Sequence, residues 1–212
     1  MSPRLPEGLG RDEKGITRCW WCGDDPLYVK YHDTEWGKPI RDDIRLFEKI
    51  CLEGFQAGLS WITILRKREN FRDAFHGFEF ERIATYTKRD VNRLLKNEGI
   101  IRHRGKIEAT INNAQRMLEL IDERSSLAAY VWSYEIDVST RPKTISKKTI
   151  PGTTPESVAL SKDLKKRGWK FVGPTTVYAF MQAMGLVNDH ISGCSAGEKV
   201  EKLRTKFRRP RS

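Results

Sequence analysis

Cys19, Cys22 and His32 stand near one end of this 212-residue chain, and His190 and Cys194 near the other. No other feature limits the fold so tightly. His190-Ile191-Ser192-Gly193-Cys194 places an imidazole and a thiol close enough to face one metal ion, whether from a helix or from a loop. Zinc takes soft thiolates and imidazoles in a tetrahedron, and a full set of protein ligands leaves no position for water. The two groups therefore read as halves of one structural zinc site that staples the ends of the chain together and performs no chemistry. Cys19 and Cys22 form a C-x-x-C knuckle half, so spacing alone does not choose between Cys22 and His32. Cys51 falls on the apolar face of a helix and reads as core. His76 reads as a surface residue, and His103 belongs to a basic turn. A deaminase-type catalytic zinc is disfavoured, since H-x-E with P-C-x-x-C is absent and His32-Asp33-Thr34-Glu35 has the wrong spacing.

The length suits one domain, or one domain with a subdomain, and allows a substantial core. A net charge of +11 and a pI near 9.6 favour a polyanionic partner, most simply nucleic acid. Basic residues cluster at Arg102-His103-Arg104-Gly105-Lys106, at Lys147-Lys148 and at Lys165-Lys166-Arg167. The segment Glu198 to Ser212 carries seven Lys or Arg against two Glu, which predicts a mobile end or at most a frayed helix. The organisation expected is a flexible extension over 1–17, a body over 18–196 and a basic tail over 197–212. No run approaches the ~20 apolar residues of a bilayer span, and the N-terminus lacks an apolar signal-peptide centre. An intracellular protein with no membrane partner is expected, its thiols free or metal-bound rather than paired as disulfides.

The hydrophobic pattern is helical almost throughout, and the fold class expected is all-α. Ile44, Phe47, Ile50-Cys51 and Phe55 repeat at helical spacing, with Asp42 or Asp43 available as a cap. Ser60 stands before Trp61, Ile62, Ile64 and Leu65, and Thr154-Pro155 opens a later helix that ends before Gly168. Two helix-joining turns stand out. Residues 98–106 are loaded with positive charge, and Trp169-Lys170-Phe171-Val172-Gly173-Pro174-Thr175-Thr176 ends in hydroxyls at a helix start. Free backbone amides at such a start bind phosphate.

Trp20, Trp21, Tyr28, Tyr31, Trp36 and Trp61 gather in a short part of the chain. Such rings usually pack cores, but a flat aromatic cage is also what reads an extruded nucleobase. Glu53 lies among Cys51, Leu52, Phe55 and Trp61. A carboxylate there is costly to bury unpaired, so it is either exposed or awaits a cationic or hydrogen-bond-donating ligand.

The strings Asp25-Pro26-Leu27-Tyr28, Tyr31-His32-Asp33, Glu35-Trp36-Gly37, Ile50-Cys51-Leu52-Glu53-Gly54, Gln56-Ala57-Gly58-Leu59-Ser60-Trp61, Gly99 to Ile107 and Gly185 to His190 together resemble the 3-methyladenine DNA glycosylase I family. The resemblance runs in order from about Arg18 to Cys194. It implies a helix-hairpin-helix DNA glycosylase that releases 3-methyladenine from double-stranded alkylated DNA as free base, as a monomer. It implies one structural Zn2+ on Cys19, His32, His190 and Cys194, and a base pocket lined by Glu53, Tyr28, Tyr31, Trp61 and Trp21. Gly58 and Leu59 read as a wedge for the vacated stack, and Arg102, Arg104, Lys106, Gly173 and Thr175 as DNA contacts. The hairpin departs from the superfamily's L-P-G-h-G, with Phe171 where the first glycine would stand. Thr175 replaces the lysine of strand-nicking relatives, and Asn188 the usual activating aspartate, which implies base removal without strand cleavage. N3-methylation makes the base cationic and its glycosidic bond weak, so Glu53 reads mainly as a recognition residue. Two rival readings are a catalytically silent zinc-stapled DNA-binding module, which has no need of the Glu53 cage, and a zinc-dependent nucleobase hydrolase.

Overall fold

The helical periodicity becomes eleven α-helices and one small antiparallel sheet among the described residues, 5–211, of a computed structural model. The sheet departs from the purely helical reading. β1 (Leu9–Arg11) pairs with β2 (Thr17–Cys19), Leu9 opposite Cys19, and strands this short show no alternation to read. Asp12 builds the turn, its Oδ1 accepting from the amides of Lys14 and Ile16 at 2.9 Å each. Part of the segment expected to be flexible thus forms a hairpin that delivers Cys19 to the interior. Residues 1–4 of that segment lie outside the described residues.

α1 (Pro26–Thr34) starts with proline in its first turn and Asp25 as cap, accepting from the amides of Leu27 and Tyr28. Of the two aspartates before α2 (Asp43–Gln56), Asp42 caps it. Asp43 accepts instead from the amides of Leu127 and Ala128 at 3.1 and 2.8 Å, at the start of α8 (Leu127–Trp132). Ser60 precedes α3 (Trp61–Arg66) as expected, but its hydroxyl meets that of Thr63 and does not cap the backbone. α4 (Arg68–Ala74), α5 (Phe80–Ile83) and α6 (Lys88–Leu95) follow as short pieces, and α7 (Arg104–Arg124) is the long one. α9 (Pro155–Lys166) begins with a Thr154 capping box, and α10 (Pro174–Ala183) packs back against it as a helical hairpin.

α2 organises the core. Every residue from Leu46 to Phe55 is buried, as in a helix covered on all sides, and its neighbours are α3, α7, α8 and α10. Phe47, Phe55, Phe71, Phe75, Phe78 and Phe180 fill the space around it. Burying α2 all round also buries Lys49 and Glu53, and that fact shapes the site.

The C-terminal segment, expected from its charge as a mobile end or at most a frayed helix, contains a docked helix. α11 (Gly197–Lys206) buries Val200 and Arg204. Both Arg204 and Arg209 donate to Glu135 at 2.8 Å, and the Phe207 ring lies 4.5 Å from that of Trp132. Val200 and Arg204 share the buried face of α11, with Phe207 just past its end, and the arginine is paired rather than solvated. Ser212 lies outside the described residues. No helix among the described residues is long and apolar enough to cross a membrane.

Candidate active site

Cys19 at the end of β2, His32 on α1, and His190 and Cys194 in the loop before α11 converge in the interior. All are buried, and their ligand atoms lie within 4.8 Å of one another. Sγ of Cys194 is 3.4 Å from His32 Nε2 and 3.4 Å from His190 Nδ1, and Sγ of Cys19 is 3.7 Å from His190 Nδ1. Ligand lengths of ~2.3 Å to sulfur and ~2.0 Å to nitrogen set tetrahedral edges of about 3.5 Å, so the donor set fits a tetrahedral ion. Asp33 Oδ1 faces His32 Nδ1 at 2.8 Å and is itself held by Arg18, which fixes the ring's orientation as carboxylates do around metal-bound histidines. Sharing a proton with Cys19 drives the Cys194 thiol down, with His190 and His32 adding, and drives Cys19 up. Cys22 stands apart, its thiol turned to the Cys19 carbonyl at 3.1 Å.

Aromatic contacts lead from the Cys–His cluster to the cleft. The Trp21 ring centroid lies 5.1 Å from those of both His32 and Tyr28 and 6.3 Å from that of Tyr31, which in turn lies 5.5 Å from Trp61. Trp21, Tyr28, Tyr31, Trp61 and Glu53 line one cleft of about 230 Å³, with Gln56 at its edge. All five residues read from the sequence as the base pocket are therefore together. Burial pushes Tyr28 up to about 12 and raises Tyr31 well above the usual phenol value, so both stay protonated.

Glu53 is only 5 % exposed, and its partner belongs to the protein. Lys49 Nζ lies 2.7 Å from Glu53 Oε1, donates to the Tyr31 hydroxyl at 3.0 Å and stands 3.1 Å from the Trp61 ring centroid. Burial pulls the Lys49 ammonium below its ordinary value, against the opposing effect of Glu53. The choice between an exposed and a ligand-awaiting carboxylate thus has a third answer, an intrachain cation. Sequence reasoning missed Lys49 although the i, i+4 spacing to Glu53 was present. It also missed Gln182, which lines the cleft and donates to the buried Asp189 at 2.7 Å. Asn188, beside it, turns away to the Gly197 carbonyl and Glu201. A larger hollow, about 850 Å³, lies elsewhere, between the 136–145 loop and α11. It holds no aromatic cage, so chemistry rather than size marks the site.

Three turns meet beside the cleft. Gly58, at φ 83°, and Leu59, 42 % exposed, follow α2. His103 caps α7, and its ring lies 6.4 Å from that of Phe171 in the α9–α10 hairpin. Phe171 adopts φ 56°, the left-handed conformation that glycine would take at no steric cost. Gly54 on α2 permits the contact, since a Cβ there would lie 3.2 Å from that of Phe171. Gly173 caps α10 without a side chain, leaving the first-turn amides beside exposed Thr175 open to an anion. Arg102 and Arg104 are at least half exposed, in loose pairs with Glu98 and Glu108 at 3.4 and 3.3 Å. Lys106 is the exception among the residues read as DNA contacts. It is buried, and its ammonium donates to the carbonyls of Phe55 and Ala57 at 2.8 and 2.6 Å. It therefore fastens the end of α2 and cannot reach a phosphate.

A family model described as methyladenine glycosylase matches residues 21–197. The chain belongs to the methyladenine glycosylase family. DNA-3-methyladenine glycosylase 1 of Escherichia coli (strain K12) is 53% identical over 182 residues, covering 84% of this chain and 96% of that protein. A crystal structure of 3-methyladenine DNA glycosylase I shares 56% identity at a TM-score of 0.78, over 84% of this chain and 98% of that one. A variant of 3-methyladenine DNA glycosylase I in complex with 3-methyladenine gives 39% identity and a TM-score of 0.76, over 82% and 94% of the two chains. The family span includes the α9–α10 hairpin and the cleft apart from Trp20; the β1–β2 hairpin and nearly all of α11 lie outside it.

Proposed function

We propose that this methyladenine glycosylase hydrolyses the N-glycosidic bond of 3-methyladenine in double-stranded alkylated DNA. It releases the free base, leaves an abasic site, works inside the cell as a monomer and does not cut the strand. The observation that carries the reading is the buried Glu53 carboxylate set among Trp61, Tyr31, Tyr28 and Trp21 in a base-sized cleft. A delocalised cation stacks on electron-rich rings and is complemented by a carboxylate, whereas an unmodified purine gains only the stacking. Glu53 can also accept from the exocyclic amine of adenine, while the carbonyl oxygen of a guanine would be repelled.

The base must first leave the duplex, at a cost of a few kcal/mol. Leu59 on the Gly58 turn would fill the gap, and Arg102, Arg104 and the amides at Gly173 and Thr175 would meet the phosphates. Methylation has already weakened the glycosidic bond, and the base departs neutral without a general acid. The negative charge of Glu53 would also stabilise oxocarbenium character in the sugar. Thr175 offers no amine to the sugar. Lys49, the one amine lining the cleft among the described residues, pairs with Glu53 and Tyr31 before the base enters.

Cys19, His32, His190 and Cys194 would hold one zinc ion, whose bound form supplies no reaction chemistry, only a fixed join between the wall bearing Trp21 and the C-terminal loop. The test is Glu53→Gln, which keeps the size and one acceptor but removes the charge. Affinity for free 3-methyladenine, titrated by tryptophan fluorescence, should weaken by about 1–3 kcal/mol, the range for a charged hydrogen bond. Single-turnover excision should fall less than it would for a true general acid or base. Unchanged base affinity with abolished excision would make Glu53 a catalytic group and overturn this account of the cleft.

A further inference from the structure

The acid–aromatic cage of the cleft is closed on a side chain of the protein. The Lys49 ammonium has three N–H donors, and three groups surround it, Glu53 Oε1 at 2.7 Å, the Tyr31 hydroxyl at 3.0 Å and the Trp61 ring at 3.1 Å from its centroid. These are the groups that the proposed function gives to the methylated purine. Trp61 Nε1, in the same wall, is buried with no hydrogen-bond partner among the described residues.

Lys49 also borders a second hollow of about 150 Å³, shared across Tyr31 and Trp61. Glu35 and Glu48 line that hollow, bonded to Arg68 and Arg72 at 2.6 and 2.8 Å, and Lys38 and Arg45 line it as well. Rooted on α2, the flexible lysine stem borders both spaces, so its ammonium has room to leave Glu53 while the backbone stays in place.

We propose that Lys49 is the resident counter-cation of the base cleft, displaced when the methylated purine enters and displacing the free base when it leaves. The inference rests on the reading of the cleft as a 3-methyladenine site. Before cleavage the damaged base carries a positive charge, so its entry exchanges one cation for another at Glu53. Breaking the C1′–N9 bond leaves the bonding pair on the base. Water gives its hydroxyl to C1′ and its proton to solvent, and the base becomes neutral. Glu53 and the Trp61 face then favour the ammonium over a neutral ring. Loss of charge in the reaction itself is thus the signal for product release, and the site resets without a conformational change of the backbone.

The test titrates free 3-methyladenine into the wild-type protein and Lys49→Met, with excision from alkylated DNA measured on both. Methionine keeps the length and removes the competing charge. The variant should bind the free base about tenfold or more tightly, the scale of one charged hydrogen bond that the competitor no longer makes, and should be more strongly inhibited by added product. Unchanged or weaker binding overturns the proposal. Because an unpaired Glu53 can cost the variant its fold, a second measurement uses the wild-type protein labelled with ¹³Cε-lysine. Ring current from Trp61 should shift the Lys49 ε-methylene upfield, and saturating 3-methyladenine should return it to the ordinary lysine position. A shift that persists with the base bound overturns the proposal. Wild-type protein that excises 3-methyladenine while Lys49 stays in place sinks this inference alone. Wild-type protein that neither binds nor excises the base sinks the functional reading beneath it as well.

Discussion

Glu35 and Arg68 show how a single ionic contact ties α1, which carries Tyr31, to α4. Glu35 ends α1, Arg68 begins α4, and the guanidinium grips both carboxylate oxygens at 2.6 and 2.9 Å. Burial pushes the Glu35 carboxyl up, and Arg68 more than offsets this, so the group titrates below its ordinary value. A depressed carboxyl contributes stability that is present above its unfolded pKa and lost as pH falls through the folded one. Arg68→Met should therefore cost about 2 kcal/mol near pH 7, the scale of hydrogen bonds to a charged group, and the gap to the wild type should narrow near pH 3, below the ordinary Glu pKa of about 4.3. Urea unfolding at the two pH values measures this, and a gap of equal size at both would contradict it. At this scale the sequence was legible where rare residue types carry the meaning. Among cysteine and histidine the choice was small, and Cys19, His32, His190 and Cys194 do converge. Lys49 was not legible, because Lys and Glu at i, i+4 normally decorate an exposed helix face. Only the packing of α3, α7, α8 and α10 around α2 makes that pair the floor of a cleft.

Elements bring the turns to the cleft and fix their order. Lys106 on α7 holds the carbonyls of Phe55 and Ala57, so the helix that follows the basic turn also anchors the Gly58-Leu59 turn after α2. Arginines and lysine that looked alike in the string Arg102 to Lys106 thus do different work, since a helix period puts Lys106 inward. Lys106→Met should remove two charge-assisted bonds, destabilise the fold by about 2–4 kcal/mol and weaken DNA binding with its salt slope unchanged. Replacing Arg102 and Arg104 by Ala should spare stability and flatten the slope of log K against log salt, by up to about 0.9 for each phosphate no longer neutralised. Binding isotherms over a salt series separate the two, and a flattened slope in Lys106→Met would return that residue to the DNA. Charge misled in the same way at the C-terminus. The basic run after Glu198 hides a buried face of Val200 and Arg204, with Phe207 just past it, that docks on Glu135 and Trp132. The partner is too distant in sequence for composition to reveal. β1 and β2 escaped because each has three residues, too few for a period.

The described residues form a helical body in which one buried cluster joins residues near the two ends of the chain. Trp21 packs on His32 and on Tyr28, so the cluster that joins the ends also steadies the cleft wall. Cys194→Ala should lower zinc content and melting temperature together, and normal zinc content in that variant or in His32→Ala would contradict the ligand set. The account as a whole makes this chain an enzyme that removes a cationic adenine and stops at the abasic site. The most direct measurement is an end-labelled duplex, treated with a methylating agent, incubated with the protein and resolved on a denaturing gel before and after alkali. Relative to the same treated duplex without protein, the account predicts strands that stay intact until alkali and then show added breaks at adenines. Added breaks before alkali, added breaks at guanines instead, or no added alkali-labile sites at all would contradict it.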